Sequence, residues 1–130
     1  MSELIRYGVT RRWSDAVVVG GIAYFVEVPD DPTLSAGDQF EQIFQQVEAR
    51  LAQVGSDKSR LVQVLVYLPF PGDLALFNRM WDEWIPEGHA PSRACTHPTL
   101  AAPGSEPAPA APPASRVSPA RVVASGGSLN

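Results

Sequence analysis

The chain reads as an α+β domain, in which a group of strands forms a sheet and helices lie on it. Three observations carry that class. A Gly20-Gly21 pair separates two apolar runs, one strongly periodic helix follows, and then comes a short run that is apolar on both sides. Length and composition agree: 130 residues with 45% hydrophobic content are enough for one core.

Residues Ile5 to Val28 read as strands. Ala16 to Val19 and Ile22 to Val28 flank Gly20-Gly21, a hairpin signal because primed two-residue turns need positive φ at both central positions. Pro29, Asp30, Asp31 and Pro32 end this part, since proline removes a ladder donor and the acids favour turns. The clearest helix comes next. Phe40, Phe44, Val47, Leu51 and Val54, with Ile43 beside them, share one face of a 3.6-residue period, while Gln42, Gln45 and Gln46 fall on the wet side. Ser35 is the expected N-cap, Asp38 suits the positive end of the helix dipole, and Gly55 suits the left-handed closing position. Burying the six apolar side chains contributes about 10 kcal/mol before entropy is subtracted.

Leu61 to Leu68 reads as a central strand, with Val62, Val64, Val66 and Leu68 on one side and Leu61, Gln63, Leu65 and Tyr67 on the other. Pro69 and Pro71 stop it. A second helix spans about Asp73 to Trp84 with Leu74, Phe77, Trp81 and Trp84 on one stripe, and Pro86-Glu87-Gly88 ends it. Arg93 to Thr96 is a further strand. The boundary of the folded domain falls at residues 1–102. Residues 103–130 are rich in Pro, Ala, Ser and Gly and bury too little to offset their ordering entropy, so they read as a disordered tail. A short pairing strand over Arg121 to Ala124 is the one exception their pattern allows.

Charge and motifs limit the function. A net charge of −4 and no larger basic grouping near the N-terminus than Arg6, Arg11 and Arg12 argue against nucleic acid. No run approaches the ~20 apolar residues of a membrane span, and a single cysteine excludes an internal disulfide, so a cytoplasmic protein is expected. Cys95 and His97 stand two apart on one strand, about 7 Å along the chain, too far for a direct thiol–imidazole bond. His89 and His97 lack a third ligand at metal-binding spacing, so no metal is expected. Asp15 reads as a turn residue, and Trp81 and Trp84 as core. The stretch Pro91 to Cys95 stands apart. It sets Arg93 at the start of a short strand after a loop rich in Pro, Gly and His, where its planar fork can grip a small acid by two parallel hydrogen bonds.

The segments RRWSDAVVVGGIAYF, GSDKSRLVQVLVYL and DLALFNRMWDEWIPEGHAPSRAC resemble, in order and over Arg6 to Leu100, the RidA or YjgF-like family of reactive enamine/imine deaminases. The resemblance implies a two-layer sandwich similar to chorismate mutase folds: a mixed sheet with two helices on one face. It also implies a homotrimer with a ligand cleft at each subunit interface. The activity implied is hydrolysis of enamines and imines to keto acids and ammonia, without metal or cofactor. By position, Arg93 matches the arginine that grips the substrate carboxylate, and Cys95 the residue whose backbone lines the same cleft. Asn78 matches an asparagine near the site, and Trp13 stands where an aromatic closes the pocket.

Two departures follow from the same resemblance. Phe25-Val26-Glu27 replaces a small-residue segment of the type S/A-G-Q and is expected to fill part of the cleft. A last strand of the type V-E-I, whose glutamate helps to position water, aligns with Pro107-Ala108-Pro109, with Glu106 two residues before Ala108. Prolines there oppose a strand, so the strand is expected to be lost, the strand of Arg93 to become an edge, and deamination to be impaired. The alternative is a non-catalytic trimeric binder of small carboxylates.

Overall fold

The computed structural model describes residues 3–98 and 120–125. Its strands are β1 (Ile5–Tyr7), β2 (Ala16–Val19), β3 (Ile22–Glu27), β4 (Leu61–Tyr67), β5 (Ser92–Thr96) and β6 (Ala120–Ser125). The helices are α1 (Ala36–Gln53) and α2 (Leu74–Trp84). One six-stranded mixed sheet has the order β1-β2-β3-β6-β4-β5, parallel only between β4 and β5. This is the α+β class read from the sequence.

The hairpin β2–β3 forms as expected, with φ of +59° at Gly20 and +76° at Gly21, a pair that side-chain-bearing residues rarely adopt. Ser35 caps α1 by accepting a hydrogen bond from the Asp38 amide at 3.3 Å, and Gly55 follows the helix with φ of +78°. All six apolar residues assigned to the inner face of α1 are buried. Gln39 joins them, fully buried, and its Nε2 donates to the carbonyls of Pro32 and Leu34 at 3.2 and 2.7 Å. The entry loop is thereby tied to the helix.

In β4 the sides differ from the sequence reading at the start. Leu61 is buried and Val62 is exposed, because a register shift between Leu61 and Gln63 against β6 inserts an extra residue and re-aims the side chains before it. Beyond the bulge Val64, Val66 and Leu68 face the core as expected. Phe25 belongs to that core as well, 4% exposed, rather than to an open cleft.

The largest difference concerns the last strand. Ala120–Ser125 runs up the middle of the sheet, with Val122 opposite both Phe25 and Val64. The short strand weighed for Arg121 to Ala124 therefore exists, and the last strand is not lost. The family position matched to Ala108 lies, with Glu106, outside the described residues, and the strand is built from residues further along the chain. The strand carrying Arg93 is a sheet edge even so, since β6 enters between β3 and β4 rather than beside β5.

Both helices cover one face, and Val18, Ala23, Phe25, Val64, Val66, Val122 and Ala124 point into the layer between. Among the described residues nothing covers the other face, which is mostly apolar. Tyr24 and Val26 are exposed there, and register puts Val17, Leu65 and Tyr67 on the same side.

A buried ion pair ties the sheet to α1. The Arg50 Nε donates to Glu27 Oε2 at 3.0 Å, its Nη2 reaches Asp15 at 4.0 Å, and Glu27 is almost fully buried. Asp15 thus has a turn and ion-pair role. The concavity of about 310 Å³ beside this pair, lined by Glu27, Asp30, Gln46 and Arg50, has its one cation already held by Glu27. Arg50→Ala strands the Glu27 carboxylate in the protein interior. A loss of about 2–3 kcal/mol is expected, somewhat below a wholly buried pair because Arg50 keeps contact with water. Urea denaturation of the two proteins side by side measures it.

Candidate functional site

The unit β4–α2–β5 builds the site. Parallel neighbours joined by a helical crossover place that helix over their shared face. In register, Arg93 lies beside Val64 and Cys95 beside Val66, so both side chains point to the helix side, where Val64 and Val66 are core. Because β5 is the edge, that face is only partly covered, and Arg93 and Cys95 are half-buried.

Above Arg93 lies α2. The Arg93 Nη2 donates to Asn78 Oδ1 at 2.6 Å. Its guanidinium carbon stands 5.0 Å from the Trp81 ring centre and 5.8 Å from that of Phe77. No carboxylate lies within 4.0 Å of it among the described residues. An arginine held in this way keeps its charge uncompensated and can offer its remaining donors to an acid.

Of the four site residues expected from the sequence, Arg93, Asn78 and Cys95 come together. Trp13 does not join them within one chain. It lies 61% exposed in the β1–β2 connection, while Arg93 is on β5, four to five strand spacings or roughly 19–24 Å across the sheet at about 4.8 Å each. A hydrogen bond from Thr10 Oγ1 to the Trp13 carbonyl at 3.1 Å, with the Trp13 amide donating back to Thr10 Oγ1 at 3.1 Å, shapes that turn.

The sequence places Phe77 and Trp81 on the inner stripe of the second helix, with Trp81 as core. They are buried, at 2% and 6% exposure, and they also serve as a π surface for Arg93. A signal existed: Phe77, Asn78 and Trp81 stand at helical spacings that bring all three toward the strand following α2.

Cys95 packs against the core, and this burial pushes its thiol above the ordinary range, an effect the nearby Arg93 charge opposes only in part. At neutral pH the sulfur is therefore a protonated thiol, not a nucleophile. Its reaction with iodoacetamide at pH 8 is expected to be slower than that of free cysteine and to rise steeply at more alkaline pH; stopped-time alkylation read by mass spectrometry measures it. The His97 Nδ1 donates to the Leu68 carbonyl at 2.7 Å, and no hydrogen bond joins its ring to Cys95 among the described residues. Among the described residues no three of His, Cys, Asp and Glu converge as metal ligands, and no helix is long and apolar enough to cross a membrane.

Comparisons with known proteins agree with the architecture. A family model described as Endoribonuclease L-PSP matches residues 6–106. A RutC family protein from Haemophilus ducreyi is 39% identical over 101 residues, spanning 77% of this chain and 86% of that protein. A crystal structure of an uncharacterized protein from Pseudomonas aeruginosa superposes with a TM-score of 0.83 at 33% identity, covering 95% of this chain and 99% of the other. A YjgF-family protein from Neisseria meningitidis superposes with a TM-score of 0.79 at 28% identity, covering 95% of each chain. With the six-stranded sheet, its two helices on one face and the sequence match all pointing the same way, the chain belongs to the YjgF/RidA (RutC) family.

Proposed function

We propose that the chain binds small 2-imino and 2-keto acids through Arg93 and hydrolyses enamines and imines to keto acids and ammonia, at a reduced rate. One observation carries this reading: a half-buried guanidinium, held by an amide oxygen and aromatic faces, with no carboxylate within 4.0 Å among the described residues. Bound there, an acid has its carboxylate fixed and its imine carbon set over the edge of β5, where Asn78 and the backbone around Cys95 supply polar contacts. Hydrolysis then asks for orientation and a positioned water.

The reduced rate follows from β6. Its sequence, ARVVAS, contains no acid, whereas the family resemblance implies a glutamate on the last strand that positions water. Loss of a general acid–base group commonly lowers rates by about 10²–10⁴-fold. The same observation favours a second reading, a non-catalytic binder of small carboxylates.

Assembly as a homotrimer belongs to the proposal. The uncovered apolar face bearing Tyr24, Val26 and Leu65 suits packing against copies of itself. Across such an interface Trp13 of one subunit can approach Arg93 of another, which a single chain does not allow. The overall charge of −4 gives no attraction for RNA.

Ammonia release from freshly generated 2-aminoacrylate tests the reading. Release above the buffer rate, and dependent on Arg93, supports the deaminase. Pyruvate binding without release supports the binder. If neither occurs, both readings are wrong.

A further inference from the structure

Among the described residues two half-buried arginines are treated in opposite ways. Arg50 is met by the carboxylates of Glu27 and Asp15, so its charge is spent on holding β3 to α1. Arg93 is met by Asn78 Oδ1, Trp81 and Phe77, none of which carries a charge. A π face attracts a cation through the ring quadrupole, yet it neither neutralises that cation nor competes for its in-plane donors. A carboxylate in the same place would orient the guanidinium equally well and block it for any incoming acid.

The rings are themselves fixed. Trp81 lies 6.1 Å from Phe77, 6.5 Å from Phe44 and 5.5 Å from Trp84, ring centre to ring centre. Phe44 stacks on Trp84 at 4.5 Å, and the Trp84 Nε1 donates to Glu48 Oε2 at 3.1 Å. The surface offered to Arg93 therefore has one orientation, set by the packing of α1 against α2.

We propose that Trp81, assisted by Phe77, is a positioning residue that presents Arg93 to small acids as an oriented cation without a counter-charge. This rests on the reading of Arg93 as the carboxylate clamp. It assigns to a buried tryptophan a part in acid affinity beyond core packing, exerted only through Arg93.

Pyruvate titration calorimetry on the full chain tests it, with thermal melts to confirm folding. Trp81→Leu is expected to weaken pyruvate binding by about 5- to 30-fold, the range of a shielded cation–π contact. Trp81→Phe keeps a weaker π face and is expected to lose about two- to fivefold, which keeps the test alive if leucine unfolds the chain. In an Arg93→Gln background, which has no cation for the ring to hold, either change at Trp81 is expected to shift the remaining affinity by less than about twofold. Losses that multiply in that background, or Trp81 variants that fold and bind pyruvate at the original affinity, overturn the proposal. Arg93→Ala binding pyruvate as the original chain does would overturn the clamp reading itself. That result is distinct, because it concerns Arg93 and not its support.

Discussion

Replacing Arg93 by alanine is expected to lower affinity for small keto acids by about 30- to 150-fold, the equivalent of about 2–3 kcal/mol from charged hydrogen bonds in a partly shielded site. Any ammonia release from imino acids should fall by at least the same factor in kcat/KM, because the clamp acts in both the ground state and the transition state. Fold stability should fall only modestly, by about 0.5–2 kcal/mol for the lost ring contacts. No ion pair of Arg93 is broken within the described residues, and the Asn78 Oδ1 left behind is only half-buried and can turn to water. Calorimetric titration with pyruvate and a thermal melt of the same sample separate the two quantities. A large drop in melting temperature with unchanged pyruvate affinity would make Arg93 a structural residue.

Ending the chain before Ala120 is expected to abolish cooperative folding. β6 pairs with β3 along its whole length and with β4 from Ala120 to Ala124. Its removal leaves two facing strand edges in the middle of the sheet, and each buried backbone group without a partner costs about 1–3 kcal/mol. Val122, at 1% exposure, and Ala124 would also vanish from the packed interior, the valine alone being worth about 1.5–3 kcal/mol when fully buried. These losses exceed the 5–15 kcal/mol, roughly, that holds a domain together. Circular dichroism during heating should show no sigmoidal transition. Val122→Asp, which inserts a charge between Phe25 and Val64, should have nearly the same effect. A cooperative melt within a few degrees of the intact chain would contradict the central place of β6.

Much of the fold was legible because local rules and long-range packing agree in it. The Gly20-Gly21 hairpin, the inner face of α1 and the stripe of α2 each follow from spacing alone. The end of the chain was not legible, for a physical reason. Residues 103–119 carry a composition that normally excludes a sheet, while Arg121 to Ala124 hold only four residues whose partners, Phe25 and Val64, are far away in sequence. Such a strand is specified by the gap it fills and hardly at all by its own pattern. The bulge at Leu61/Gln63 was hidden likewise, since strict alternation along β4 is broken only by its pairing with β6.

For the site, Arg93 stood out through its residue type and neighbours, and Asn78 through likeness to a family. The aromatic support was missed because burial and ligand positioning call for the same side chains at Phe77 and Trp81. Only the crossing of α2 over β5 tells the two roles apart.

The placement of β6 also constrains how a newly made chain can behave on the ribosome. β3 and β4 emerge long before the segment that joins them, so the two halves of the sheet have to wait apart, with open hydrogen-bonding edges, until Ala120–Ser125 leaves the exit tunnel. Synthesis rate and chaperone protection through that interval, more than the finished protein's stability, would then govern how much of it reaches the native state.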